Sequence, residues 1–276
     1  MQYLINIYLL VNIIMKLVAS NFFHKLNYYK TSLARNPPLI KMISETSLEN
    51  KKILSISPGG YKGFYVLGIS KFIKENYNLT EFVFSGASAG AWNSLMLCSK
   101  HPIEDIQNKL DLSSLMKINS IPEIENQIKR VILENYKTED FELDRLYIGV
   151  TVMEKYRLNT IIYSGFKTLE DALDCCVASS HIPFLTGGLT NTYRKTLSFD
   201  GGFSKYPYLN TTPAVLHIHP NIWNKFWNEK SLLNITDYTT LFSKNNFPFD
   251  AMIDAGYSDA RKNKEQLDTI FDGKRI

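Results

Sequence analysis

The sequence predicts an α/β fold, a mainly parallel sheet with helices on both faces, because short β-branched runs alternate with amphipathic segments along most of the chain. Two observations strengthen this. Several runs stop at glycine-marked turns, and the segments after those turns carry apolar residues at helical spacing. No self-similarity recurs at a period of about 20 to 50 residues, which excludes a solenoid or propeller. With 276 residues, 45% of them apolar, the chain is long enough for one domain with a sizeable core.

Residues 52–57 form a β-branched run that ends at Pro58, Gly59 and Gly60, and residues 63–77 follow with helical periodicity. Residues 82–85 repeat the pattern, reaching Gly86 and then the small, helix-compatible Ala89 and Ala91 with Trp92 and Leu95. Residues 103–112 and 123–136 read as amphipathic helices, the second introduced by Pro122 at a favourable first-turn position. Residues 147–153 and 158–163 are strand-like, and residues 169–178 helical. Residues 196–199 form a short strand that stops at Asp200, and residues 215–218 form another. In an open parallel sheet, ligand sites gather at the carboxyl ends of the strands. The turns at Gly59, Gly86 and Gly201 all lie at such ends.

The two ends of the chain differ from this pattern. Residues 1–20 are an apolar segment whose uncharged run, Tyr3 to Met15, is interrupted by Asn6 and Asn12 and is short for the roughly 17 to 25 residues of a membrane span. It reads as a signal or interfacial anchor, or as an over-long start with Met15 or Met42 as the first residue. Lys16, Lys25, Lys30, Arg35 and Lys41 follow the apolar run, a polarity that favours a cytoplasmic, membrane-associated main domain over a cleaved signal. Residues 21–50, with Pro37 and Pro38, read as a linker, residues 51–265 as the folded domain and residues 266–276 as a tail.

Composition narrows the function classes. Lys and Arg exceed Asp and Glu by 31 to 27, for a net charge of +4. That mild bias suits an anionic lipid surface and implies no nucleic acid. Cys98, Cys175 and Cys176 supply neither a disulfide framework nor a metal quartet, so a reducing compartment is the simpler reading. His24, His101, His181, His217 and His219 show no HExxH or comparable spacing, so neither a metal nor any other cofactor is expected. The sequons at Asn78, Asn210 and Asn234 mean little in an Asn-rich chain.

Three turns carry candidate chemistry. Gly86-Ala87-Ser88-Ala89-Gly90 follows a strand and opens a helix, the arrangement of a nucleophile elbow that presents the Ser88 hydroxyl at a sharp turn. Pro58-Gly59-Gly60-Tyr61-Lys62-Gly63 also joins strand to helix. It lacks the Lys-Ser/Thr of a phosphate loop, and Pro58 stands where a dinucleotide fingerprint needs its first glycine, so a backbone oxyanion hole fits better. Asp200-Gly201-Gly202 places a carboxylate at a strand end, although Asp-Gly alone is a common turn.

In this order the three turns, together with SPGGYKGFYVLG, FSGASAGA, ASSHIPF, SFDGGFSKYP and the late AGYSDA, resemble the patatin-like phospholipase family, including its animal triglyceride-lipase branch. The resemblance runs from about Lys52 to Arg261. It implies a three-layer α/β/α fold and a lipid acyl hydrolase in which Ser88 attacks the ester and Asp200 is its only partner. It also implies oxyanion donors at the N–H groups of Gly59 and Gly60, Lys62 at the family's basic position, and Gly63, Gly86, Gly90, Gly201 and Gly202 as supporting motif residues. The implied substrate is a phospholipid or acylglycerol, met at a membrane or lipid-droplet surface. Pro58 departs from the family's first glycine and has no N–H to donate.

Two other readings stand beside it. Ser88, Asp200 and His217 or His219 occur in the Ser, Asp, His order of an α/β-hydrolase triad. A catalytically silent lipid-binding protein that keeps the fold is motivated by Pro58 and the apolar amino terminus. Trp223, Phe226 and Trp227, at helical spacing, read first as core packing and second as membrane contact.

Overall fold

The computed structural model describes residues 39–41, 48, 51–154, 157–223 and 248–271. The apolar segment 1–20, Met42, Phe226, Trp227 and Asn234 lie outside the described residues. Among those residues the strands are β1 (Leu39–Lys41), β2 (Lys52–Ile56), β3 (Phe82–Gly86), β4 (Leu146–Glu154), β5 (Arg157–Tyr163), β6 (Asn191–Tyr193), β7 (Thr196–Phe199) and β8 (Leu216–Ile218). The helices are α1 (Gly63–Asn76), α2 (Ala89–Cys98), α3 (Ile103–Lys109), α4 (Leu112–Lys117), α5 (Ile121–Asn135), α6 (Leu169–Ser179), α7 (Phe249–Lys262) and α8 (Lys264–Ile270).

The sheet order is β1-β5-β4-β3-β2-β8, with β7 pairing β4 and β6 pairing β7. β8, β2, β3 and β4 run parallel to their neighbours, whereas β4 and β5 form an antiparallel hairpin. The fold is therefore α/β with a mixed, mostly parallel sheet and helices on both sides. Both faces of the parallel strands are covered, as parallel sheets require. Leu54, Phe84 and Ile148 belong to the large helix-packed core. Ile53, Val83, Tyr147 and Ile162 form a smaller cluster with Leu209 on the other face, the period-2 alternation of strands.

One feature of the topology positions the site. β3 runs parallel to the start of β4, with Phe84, Ser85 and Gly86 opposite Leu146, Tyr147 and Ile148. β7 runs antiparallel to the end of β4, with Phe199, Ser198 and Leu197 opposite Thr151, Val152 and Met153. Because β5 occupies the other edge of β4, β3 and β7 share one edge and point at each other. Their carboxyl ends meet beside Gly149 and Val150, so the turns after them are brought face to face.

α1 and α7 cross at two glycines. A Cβ on Gly68 would lie 1.9 Å from the Ile253 carbonyl oxygen, and one on Gly256 would lie 1.9 Å from the Tyr65 carbonyl oxygen. The Tyr65 hydroxyl donates to Asp259 Oδ2 at 3.0 Å across the same crossing. The AGYSDA segment thus clamps α1, the helix that carries the first glycine turn, to the carboxyl-terminal part of the chain.

Two expected boundaries shift. The region 21–50 is not linker throughout, because Leu39, Ile40 and Lys41 pair in parallel with Ile161, Ile162 and Tyr163; three residues are too few to show an alternating pattern. Of the expected tail 266–276, residues 266–271 are not simply a tail. Leu267 and Phe271 are buried, and Phe271 stacks on Tyr77 at 4.6 Å. The helix expected over 103–112 breaks into α3 and α4 at Asp111, whose left-handed backbone (φ 41) and side chain cap Ser114 N–H.

Candidate active site

Ser88 sits at the end of β3 with φ 54 and ψ −128, a conformation that a residue bearing a Cβ adopts at a cost of order 1–3 kcal/mol. The fold holds it there from several sides. Gly86 and Gly90 allow the turn to close, since a Cβ on Gly86 would meet the Gly90 carbonyl oxygen at 2.0 Å and one on Gly90 the Ile56 carbonyl oxygen at 2.2 Å. The Ser88 N–H donates to Ser179 Oγ at 2.8 Å, and Ser179 Oγ donates to the Gly149 carbonyl at 2.7 Å. The elbow is therefore tied by a buried hydroxyl to the strand beside it.

Asp200 arrives from the opposite direction. Its N–H donates to the His181 carbonyl at 2.6 Å, and its Oδ1 accepts from the Gly202 N–H at 2.6 Å. Gly201 fits because a Cβ there would lie 2.4 Å from the Gly149 carbonyl oxygen. The Ser88 hydroxyl then donates to Asp200 Oδ2 at 2.7 Å, which leaves no room for an imidazole or a water between them. Both residues are buried. Burial pushes the Asp200 carboxyl up to about 6, while the hydrogen bonds from Ser88 and Gly202 pull it back. The carboxylate is thus both ionised at neutral pH and more basic than an exposed aspartate.

The Pro58–Gly63 turn lies against the elbow because β2 and β3 are paired in parallel along their whole length. Gly60 takes φ 52 and lines the same cavity as Ser88, as does Gly63. Gly59 is buried under the Pro220 ring, 2.9 Å from where its Cβ would be. Lys62 is buried, and its N–H donates to the Gly59 carbonyl at 3.0 Å. Among the described residues the N–H groups of Gly59, Gly60 and Ala89 donate to no protein acceptor. Ala89 opens α2 and also faces the cavity, so its N–H is one of the free donors at a helix amino terminus.

That cavity has a volume of about 130 Å³ and joins Ser88 and Asp200 to an apolar wall of Phe64, Leu67, Met96, Leu110, Ile124 and Ile128. Such a shape accepts a hydrocarbon chain with its polar end at the dyad. A second carboxyl lines the cavity, that of Glu125 on α5.

The sequence-derived residues divide clearly. Ser88, Asp200, Gly60, Gly63, Gly86, Gly90, Gly201 and Gly202 converge on one point. His217 and His219 do not join them. The His217 ring bonds Ser55 Oγ through Nδ1 at 2.8 Å and packs edge-on against Tyr208, and the His219 ring lies tilted beside it at 5.9 Å. Burial lowers the proton affinity of both rings. Among the described residues no cluster of three His, Cys, Asp or Glu side chains could hold a metal ion. No helix among them is long and apolar enough to cross a membrane.

Sequence reasoning missed Ser179, the Ala89 N–H and Glu125. The ASSHIPF segment held the first of these without showing its purpose: Ser179 braces Ser88, Ser180 accepts from Trp92 Nε1 at 3.1 Å, and the His181 carbonyl holds Asp200. Glu125 left a readable signal, a charged residue on the apolar face of an amphipathic helix. No family model, curated protein or solved structure matches the chain.

Proposed function

We propose that the chain is a lipid acyl hydrolase of patatin-like type, which cleaves carboxylic esters through a Ser88–Asp200 dyad. The observation that carries this reading is the direct 2.7 Å hydrogen bond from Ser88 Oγ to Asp200 Oδ2 at the head of an apolar cavity. In the acylation step Ser88 Oγ attacks the ester carbonyl while Asp200 takes its proton, and the C–O bond to the alcohol breaks as that proton passes to the leaving alkoxide. Water then attacks the acyl-serine, giving its proton to Asp200, and the carboxylic acid leaves as Ser88 is reprotonated.

The N–H groups of Gly60 and Ala89, with Gly59 behind them, are the donors for the oxyanion, each worth roughly 2.7 to 4 kcal/mol on removal. Substrates of the phospholipid or acylglycerol class fit the apolar wall. Contact with a membrane or lipid-droplet surface is supported by Phe184 and Leu189, exposed at 63% and 61% on the loop that carries the cavity residue Thr186.

The test is fatty-acid release by the full chain from phospholipid vesicles and from emulsified triacylglycerol, beside Ser88→Ala. Release that disappears in Ser88→Ala supports the reading. Release unchanged in that variant, or no release from any ester, overturns it, and the second result favours a silent lipid-binding protein.

A further inference from the structure

We infer that Glu125 is a specificity-determining residue of this cavity, whose carboxyl group donates a hydrogen bond to an oxygen carried by the acyl chain a few carbons from the scissile carbonyl. The inference rests on the acyl-hydrolase reading of Ser88 and Asp200. Its basis is where the side chain lies. Ile121, Ile124, Glu125 and Ile128 share one face of α5 and all line the cavity, the spacing of a core-facing stripe. Three of the four are isoleucine. Glu123 and Glu134 of the same helix are exposed, whereas Glu125 is buried at 8% exposure.

Among the described residues no Lys, Arg or His pairs with Glu125. Its polar neighbours are Ser180 and Trp92, whose hydrogen bonds with the carboxyl favour its charged form, but both donors are shared: Trp92 Nε1 also donates to Ser180 Oγ, and Ser180 Oγ to the Cys176 carbonyl at 3.0 Å. They position the carboxyl without saturating it. An ion with no cation beside it in such a wall is strongly disfavoured, so the group keeps its proton. Desolvation raises Glu125 to about 8, outweighing the hydrogen bonds with Ser180 and Trp92 that pull it back, and the nearby Asp200 charge adds to the rise.

The other titratable groups that sense Glu125 are Tyr61 and Cys176, both also raised by burial, and neither is a cation. At neutral pH the cavity therefore holds one ionised carboxylate, Asp200, and one carboxylic acid, Glu125, a separation of roles set by environment. A neutral acid in an apolar wall is a hydrogen-bond donor looking for an acceptor. A plain hydrocarbon chain offers its proton no acceptor, whereas a keto oxygen at that height does. Because the Glu125 neighbour Trp92 stands one helical turn from Ser88, with the Trp92 backbone N–H on the Ser88 carbonyl at 3.4 Å, that oxygen belongs close to the reacting end of the chain.

The experiment measures binding to the full-length Ser88→Ala protein, by calorimetry, of the methyl ester of a medium-chain γ-keto acid and of its unsubstituted parent. The keto ester is expected to bind about tenfold tighter, the scale on which a site built for a hydrogen bond begins to reject an analogue lacking it. Adding Glu125→Met, close in length and apolar, should erase the preference by weakening the keto ester and strengthening the parent. Adding Glu125→Gln keeps a donor and should retain part of it.

The preference should also fall as pH rises past about 8 with Glu125 present, because a carboxylate cannot donate, and should stay flat in Glu125→Gln. Equal affinities in the Glu125 protein, or a preference that survives Glu125→Met, overturn the inference whatever the hydrolysis assay gives. A keto preference without any Ser88-dependent ester cleavage by the wild-type chain instead overturns the hydrolase and leaves a ligand site.

Discussion

The turn after β2 and the turn after β3 are built alike and serve opposite ends. Each joins a parallel strand to a helix, and strand pairing sets them side by side. At the second turn the side chain matters: Ser88 is held at φ 54, its own N–H is bound to Ser179, and its hydroxyl is delivered to Asp200. At the first the backbone matters: Gly60 at φ 52 has no side chain, and among the described residues its N–H has no protein acceptor. Under the proposed hydrolase reading, strain is stored where the nucleophile is aimed, and glycine relieves it where the oxyanion donors are exposed.

Removing what the second turn delivers should have the largest effect. Ser88→Ala and Asp200→Asn are each expected to lower kcat by roughly 10³-fold or more, since one removes the nucleophile and the other its base. Stability separates them. The Asp200 carboxyl is raised from 3.8 to about 6, so its ionisation weighs against the folded state by roughly 3 kcal/mol above that pH. The penalty disappears as pH falls from about 6 to below 3.8, where the group is protonated folded and unfolded alike. Asp200→Asn should therefore unfold at higher temperature than wild type at pH 7.5 and lose that advantage near pH 4. The same group should make kcat/KM of the wild type fall about tenfold per pH unit below about 6 as the base is protonated.

The contrast between the turns predicts that the first tolerates no Cβ where φ is positive. Gly60→Ala should lower kcat/KM on the order of 10²-fold by displacing a donor and adding roughly 1 to 2 kcal/mol of strain. Ser179→Ala should lower kcat about tenfold, because the Ser88 N–H loses its buried acceptor and the elbow its tie to Gly149. Ester-hydrolysis kinetics on folded protein check both. A Gly60→Ala enzyme with normal turnover would make the two turns unlike in function as well as in form.

The strand-to-helix turns were legible in the sequence because their chemistry is local: glycine pairs, a small-residue elbow and an Asp-Gly-Gly stop are written within six residues. What brings them together was not. That β7 comes down the same edge of β4 as β3 goes up is a matter of register, and nothing in residues 196–199 states which strand they face. β1 was hidden for a simpler reason, since three residues after two prolines carry no period. Glu125 stood in plain view on the stripe Ile121, Ile124, Ile128, but only the cavity shows that the stripe lines a site.

The smallest effect is expected at Pro58. Its ring lies against the Asp200 turn, since a Cβ on Gly202 would come within 3.2 Å of Pro58 Cβ, while the donors at Gly60 and Ala89 follow from backbone that proline does not supply. Proline ends β2 and fixes φ near −65°, so it shapes the entry to the turn without taking a place at the oxyanion. Pro58→Gly should leave kcat/KM within about threefold, and lower stability by roughly 0.4 to 1 kcal/mol through the freer unfolded chain. A rise in hydrolysis of about tenfold or more, measured at matched folded protein, would have the opposite meaning: proline would then be holding the donors out of line by part of an oxyanion contribution. In that case the first turn is a silenced copy of a working one, and the likeness between the two turns is of form alone.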